Sequence, residues 1–100
     1  CGNEGQTAYS AAKAAVNAMT VTWSKELGRW GIRCNAVAPG FIGTESTHGA
    51  LNEAHIRHIQ ENTPLRRLGK ADEVAQAVAA VIGNDFINGV ILDVNGGLTI

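Results

Sequence analysis

The sequence predicts an α/β fold built on a parallel sheet, and three observations carry that prediction. A long helical period runs over residues 7–27, a short apolar run at 32–38 is bounded by Gly31 and Pro39-Gly40, and a further helix-then-strand alternation ends in Asn95-Gly96-Gly97. Helices that alternate with short, near-continuously apolar strands pack as a parallel sheet with crossover connections. The predicted order is helix, strand, helix, helix, strand.

In the first helix Tyr9, Ala12, Val16, Met19, Thr20, Trp23 and Leu27 recur at three-to-four spacing, the stripe that one side of an α-helix presents. Ala11, Ala14, Ala15, Ala18 and Thr22 make a second stripe of small residues, which lets another helix approach closely, within the domain or from another subunit. Gly28 and Gly31 supply the stop. The run at 32–38 fits a strand covered on both faces, which makes Cys34 an inert small hydrophobe rather than a nucleophile. Residues 41–49 read as a loop by their Gly and Thr content, and a weaker helical period over 51–62 stops at Pro64. Residues 71–82 predict a third helix, with Asp72 and Glu73 in the first turn, where negative charge suits the helix dipole, and Val74, Val78, Val81 and Ile82 as its stripe. Gly83-Asn84 closes it, and residues 90–94 form the last strand.

With 100 residues, 45% hydrophobic and 17% charged, the chain reads as no more than one folded domain. A net charge of −1 with its eight basic residues scattered excludes nucleic acid or an anionic membrane as the main partner, because both select for concentrated Lys and Arg. No apolar stretch has membrane-spanning length. Cys1 and Cys34 are too few and too far apart for a disulfide scaffold or a zinc knuckle, so a reducing compartment, the cytoplasm, is the expectation. The start at Cys1, straight into turn-forming residues, leads us to expect a chain that begins inside a longer protein. Two strands cannot cover three helices, which points the same way.

Tyr9-Ser10-Ala11-Ala12-Lys13 sets a phenol and an ammonium one helical turn apart on one face. A free phenol, with a pKa of roughly 10, is a sluggish acid-base group at neutral pH, and a neighbouring cation favours its phenolate. Such a tyrosine can give a proton to a carbonyl oxygen under reduction or take one from an alcohol under oxidation. By itself the spacing is common: an amphipathic helix with one aromatic and one solvated lysine accounts for roughly nine such matches in ten. The setting is more specific. Gly5-Gln6-Thr7 precedes the pair, Asn35-Ala36-Val37-Ala38-Pro39-Gly40-Phe41-Ile42-Gly43-Thr44 follows it, then Arg67-Leu68-Gly69 with Asp72-Glu73-Val74-Ala75, and finally Asp93-Val94-Asn95-Gly96-Gly97.

These blocks, in this order from Gly2 to Gly97, resemble the short-chain dehydrogenase/reductase family. The resemblance implies the C-terminal portion of a Rossmann-type, doubly wound parallel sheet. Residues 1–100 would be the C-terminal part of a single NAD(P)-binding domain, whose N-terminal half, with its glycine-rich phosphate loop and catalytic serine, would lie upstream of Cys1. Ser10 stands on the wrong side of the tyrosine to replace that serine. Tyr9 matches the family's catalytic acid/base, and Lys13 the lysine that lowers the tyrosine pKa and hydrogen-bonds the nicotinamide ribose. Pro39, Gly40 and Ile42 match the strand-end loop that lies against the nicotinamide, and Thr44 a hydroxyl that contacts the cofactor. A loop at the carboxyl end of a parallel strand is where such sheets hold ligands.

The implied activity is hydride transfer between NAD(P)(H) and a carbonyl/alcohol pair, with a lean toward NADPH and a 3-oxoacyl thioester substrate. The alternative is a truncated, non-catalytic fragment or assembly subunit. A homo-oligomer, dimer or tetramer, through the helix at 7–27 is implied as well. No metal site is expected: His55 and His58 lie on a polar helix without paired carboxylates or thiolates, and His48 joins no ligand set, so surface histidines are favoured by roughly twenty to one. Trp23 and Trp30 are expected to pack at the helix end or at a subunit contact.

Overall fold

A computed structural model of the chain describes residues 4–43 and 52–98. The described elements are α1 (Glu4–Leu27), a single 3-10 turn (Gly28–Trp30), β1 (Ala36–Pro39), α2 (Glu53–Asn62), α3 (Ala71–Gly83) and β2 (Ile91–Val94). The predicted α/β order is present. β1 and β2 pair in a two-stranded sheet, and the bonds Ala36 N–H to Val90 O at 2.8 Å and Gly40 N–H to Val94 O at 2.9 Å advance together along both strands, the parallel sense. The chain divides into two compact units, Cys1–Ala36 with Asn84–Ile91 and Val37–Gly83 with Leu92–Ile100.

In the first unit α1 begins three residues before the predicted start and ends at Leu27 as expected. The 3-10 turn follows, closed by Gly31 N–H on Gly28 O at 2.9 Å. The strand predicted over 32–38 is shorter, Ala36–Pro39, and Cys34 lies before it, half-buried, in irregular backbone. Side-chain amides explain the difference. Cys34 N–H donates to Asn88 Oδ1 (3.0 Å), Val90 N–H donates to Asn35 Oδ1 (2.9 Å), and Asn35 Nδ2 donates to Ile87 O (3.0 Å). Asparagine groups thus take up backbone partners that a regular ladder would use, and pairing becomes regular only from Ala36. Asn88 Nδ2 also donates to Ser24 O at 3.0 Å, tying this segment to α1.

In the second unit Asn52 caps α2 by accepting from His55 N–H at 2.9 Å. The helix ends at Asn62, and Thr63, next to Pro64, turns extended at φ −95°, ψ 122°, as a residue before proline must. Residues 44–51, which carry part of the predicted loop and the predicted start of α2, lie outside the described residues, as does His48.

The predicted apolar stripes are only in part inward-facing. Among the described residues Val81, at 8% exposure, is the one buried apolar side chain, whereas Tyr9, Val16, Met19 and Trp23 on α1 and Val78 and Ile82 on α3 are exposed. Trp30 is likewise little packed among the described residues: it is 67% exposed, with the Arg29 guanidinium 5.0 Å from its ring centre. No described helix is long and apolar enough to cross a membrane.

Candidate functional site

Tyr9 and Lys13 both fall within α1, four residues apart, so their side chains are neighbours on one helix face. Tyr9 is half exposed at 51%, Lys13 is half-buried, and neither has a hydrogen-bond or ion-pair partner among the described residues. A phenol and an ammonium one turn apart suit an oxygen-rich ligand, since the first can donate or accept a hydrogen bond and the second donates. Ser10 is exposed beside them.

Pro39, Gly40 and Ile42 belong to the second unit, at the carboxyl end of β1. Gly40 has a reason to be glycine within the chain: a Cβ there would come 2.8 Å from Asn95 Cβ and 2.9 Å from Asn95 Cα, closer than real carbon contacts allow. Its N–H also makes the last bond of the sheet, to Val94 O. Beyond Gly40 a different partner takes over. Gly69 N–H donates to Phe41 O at 2.9 Å and Gly43 N–H donates to Gly69 O at 2.8 Å, so Ile42 is held in an isolated parallel bridge to Gly69. A Cβ on Gly69 would lie 2.9 Å from Ile42 Cδ1. Thr44, the remaining predicted cofactor residue, lies outside the described residues.

A cavity of about 500 Å³ opens in this unit, walled by Phe41 and Ile42, by Pro64 and Leu65, and by the turn at Asn95 to Gly97. On its wall Arg67 grips Glu73 with two parallel bonds, Nη1 to Oε1 at 2.7 Å and Nη2 to Oε2 at 2.8 Å. Glu73 Oε1 also accepts from Lys70 N–H at 2.9 Å, the reach back across a helix start that a glutamate in the third helical position can make. The Arg67 hydrogen bonds, then the Lys70 N–H, hold the Glu73 carboxyl down from the ordinary 4.5 to about 2. The same bonds raise the Arg67 guanidinium above its usual value. The sequence reading gave Arg67 and Gly69 no role of their own, and Glu73 only a place in the first turn of a helix. The available signal was their appearance in the recurring block Arg67-Leu68-Gly69 with Asp72-Glu73, together with a glutamate placed to cap a predicted helix.

Comparison with known proteins agrees with this architecture. A family model described as enoyl-(acyl carrier protein) reductase matches residues 1–99. The chain is 46% identical over 98 residues to an acetoacetyl-CoA reductase of Synechocystis, covering 95% of this chain and 40% of that protein. It is 44% identical over 101 residues to a 3-oxoacyl-[acyl-carrier-protein] reductase of Thermotoga maritima, covering 99% of this chain and 41% of that protein. Among solved structures, a 3-hydroxyacyl-CoA dehydrogenase type-2 from Mycobacterium avium superposes with a TM-score of 0.89 at 37% identity, over 99% of this chain and 38% of that one. A small-chain dehydrogenase solved in complex with NADPH superposes with a TM-score of 0.75 at 34% identity, over 87% of this chain and 40% of that one. The chain thus spans about two fifths of the length of the relatives it matches. Its Tyr-Lys helix, its parallel strand pair and its end-to-end match to these dehydrogenases and reductases together make it a member of the short-chain dehydrogenase/reductase family.

Proposed function

We propose that the full-length protein carrying this chain is a nicotinamide-dependent oxidoreductase that interconverts a carbonyl and an alcohol, with a 3-oxoacyl thioester as its substrate class and NADPH, rather than NADH, as its cofactor. The observation that carries the proposal is Tyr9 and Lys13 one turn apart on α1, in a chain matched from end to end by a reductase family. The names of the relatives, an acetoacetyl-CoA reductase and a 3-oxoacyl-[acyl-carrier-protein] reductase, support the thioester, and the NADPH complex of a structural neighbour supports the phosphorylated cofactor.

In this reading the Tyr9 hydroxyl donates its proton to the carbonyl oxygen during reduction and recovers one from the alcohol during oxidation. Lys13 favours the phenolate that remains and holds the ribose of the cofactor. Pro39, Gly40 and Ile42 form the backbone edge against which the nicotinamide rests, at the strand end where α/β sheets hold ligands, and Thr44 offers its hydroxyl to the cofactor. The bound cofactor supplies the hydride chemistry. Residues 1–100 contribute the proton-handling part of one nucleotide-binding domain, and the phosphate loop and catalytic serine lie upstream. The exposed Val16, Met19 and Trp23 support a homo-oligomer contact along α1.

Tyr9→Phe in the full-length protein tests the assignment. Turnover of a 3-oxoacyl thioester should fall by about 10²- to 10⁴-fold, the ordinary worth of a positioned general acid, while NADPH titrated by fluorescence binds as before. Unchanged turnover sinks the role of Tyr9, whereas a wild-type full-length protein with no turnover favours the non-catalytic alternative.

A further inference from the structure

The backbone that follows β1 has two successive supports. Up to Gly40 it is held by the sheet, through Gly40 N–H on Val94 O; from Phe41 to Gly43 the described partner is Gly69, which receives one bond and gives another on either side of Ile42. Gly69 sits in no regular element, so something must hold it in turn. The Glu73 carboxylate does this from both sides. Its Oε1 accepts from Lys70 N–H, directly after Gly69, and both its oxygens accept from Arg67, two residues before. Arg67 Nη1 also donates to Leu68 O at 3.1 Å, so the guanidinium braces the peptide that enters Gly69.

Exposure tells against a purely energetic purpose for this arrangement. The Arg67 and Glu73 side chains are 45% and 36% exposed, and exposed ion pairs contribute little to stability. What a bidentate guanidinium-carboxylate pair supplies even in water is direction: two parallel bonds fix an angle as well as a distance. That direction is passed to a position against which Ile42 packs: a Cβ on Gly69 would lie 2.9 Å from Ile42 Cδ1, so a side chain there would push the end of Ile42 aside.

We propose that Arg67 and Glu73 are positioning residues for the cofactor. By gripping both flanks of Gly69 they fix the bridge that sets the backbone of residues 41–43, and with it the surface that Ile42 offers to the nicotinamide. The inference rests on the reading of this loop as cofactor-facing, and it adds to that reading two residues that touch neither cofactor nor substrate.

The test uses the full-length protein and the variants Arg67→Leu, Arg67→Lys, Glu73→Gln and Gly69→Ala, with two independent readouts. Amide hydrogen exchange, followed without cofactor, reports the bridge itself. Fluorescence titration with NADPH, beside separate KM values for cofactor and carbonyl substrate, reports its use. Arg67→Leu should speed exchange at the Gly43 and Gly69 amides and weaken NADPH binding by about tenfold, the scale of one lost charge-assisted hydrogen bond. The substrate KM should stay within twofold, Arg67→Lys should fall between wild type and Arg67→Leu, and Gly69→Ala should reproduce the loss with the ion pair intact. A general loss of structure would move both KM values together. Unchanged exchange in Arg67→Leu overturns the grip on Gly69 and leaves the loop reading standing. Faster exchange with unchanged NADPH binding shows that the grip exists but that the loop does not carry the cofactor, which overturns the loop reading and this inference with it. If Arg67→Leu fails to fold, Arg67→Lys and Glu73→Gln decide by the same two readouts.

Discussion

Arg66 is the one described non-glycine residue with positive φ, at 62°, in the turn where its N–H donates to Thr63 O at 2.7 Å. A side chain in that region costs about 1–2 kcal/mol, most for β-branched residues. Arg66→Gly should therefore leave the full-length protein at least as stable as wild type, and Arg66→Val should destabilise it by about 1–2 kcal/mol in urea unfolding. An equal response to both changes contradicts the strain. Glu73 makes a prediction in pH. Its carboxyl is held down from 4.5 to about 2 in the fold, chiefly by the Arg67 hydrogen bonds, so its contribution is complete above about 4.5 and disappears as pH falls toward about 2. The difference in melting temperature between wild type and Glu73→Gln should be constant above that window and close within it. A gap that persists unchanged below it contradicts the assignment. At this scale the placement of Tyr9 and Lys13 on one helix face was legible in advance because their relation is local, four positions along α1. The link from Gly69 to Ile42 was not, because no periodicity reports a contact between segments so far apart in the chain.

Helices were easier to read than strands, for reasons that individual residues show. α1 was announced by a stripe from Tyr9 to Leu27 and α3 by Asp72 and Glu73 at its start, whereas β1 lost residues 32–35 to amide side chains of Asn35 and Asn88 that act on distant backbone. Hydropathy alone sees an apolar run there and counts it all as strand. The cap of α2 gives a test: Asn52→Ala removes the acceptor for His55 N–H and should cost about 1 kcal/mol, read by chemical denaturation of the full-length protein. A change within error means that the helix start is held by something other than this cap.

For the molecule as a whole, the expectation of a piece of a larger layered domain rested on two strands being too few for three helices. Among the described residues Val81 is enclosed, while Phe41, Leu65, Val78 and Ile82 in the second unit and Tyr9, Val16, Met19 and Trp23 in the first are exposed. So little enclosed apolar surface among the described residues does not offset the conformational entropy of ordering them. Produced alone, the 100-residue chain should show helical circular dichroism, a broad thermal transition and strong binding of a hydrophobic dye. A sharp, cooperative melt would show that it folds independently.

The bridge between Ile42 and Gly69 also bears on how such a protein can diversify. It pins together the two ends of the intervening stretch, so that stretch is a closed excursion whose length is nearly free: doubling a loop adds only about 0.6 kcal/mol of closure entropy. Substitutions, insertions or a transplanted segment between Thr44 and Asn62, short of Leu65 on Gly96 O and of Arg67, can then be accepted without re-siting the strand end. Such a molecule can change that stretch while keeping the carboxyl end of β1 where it is.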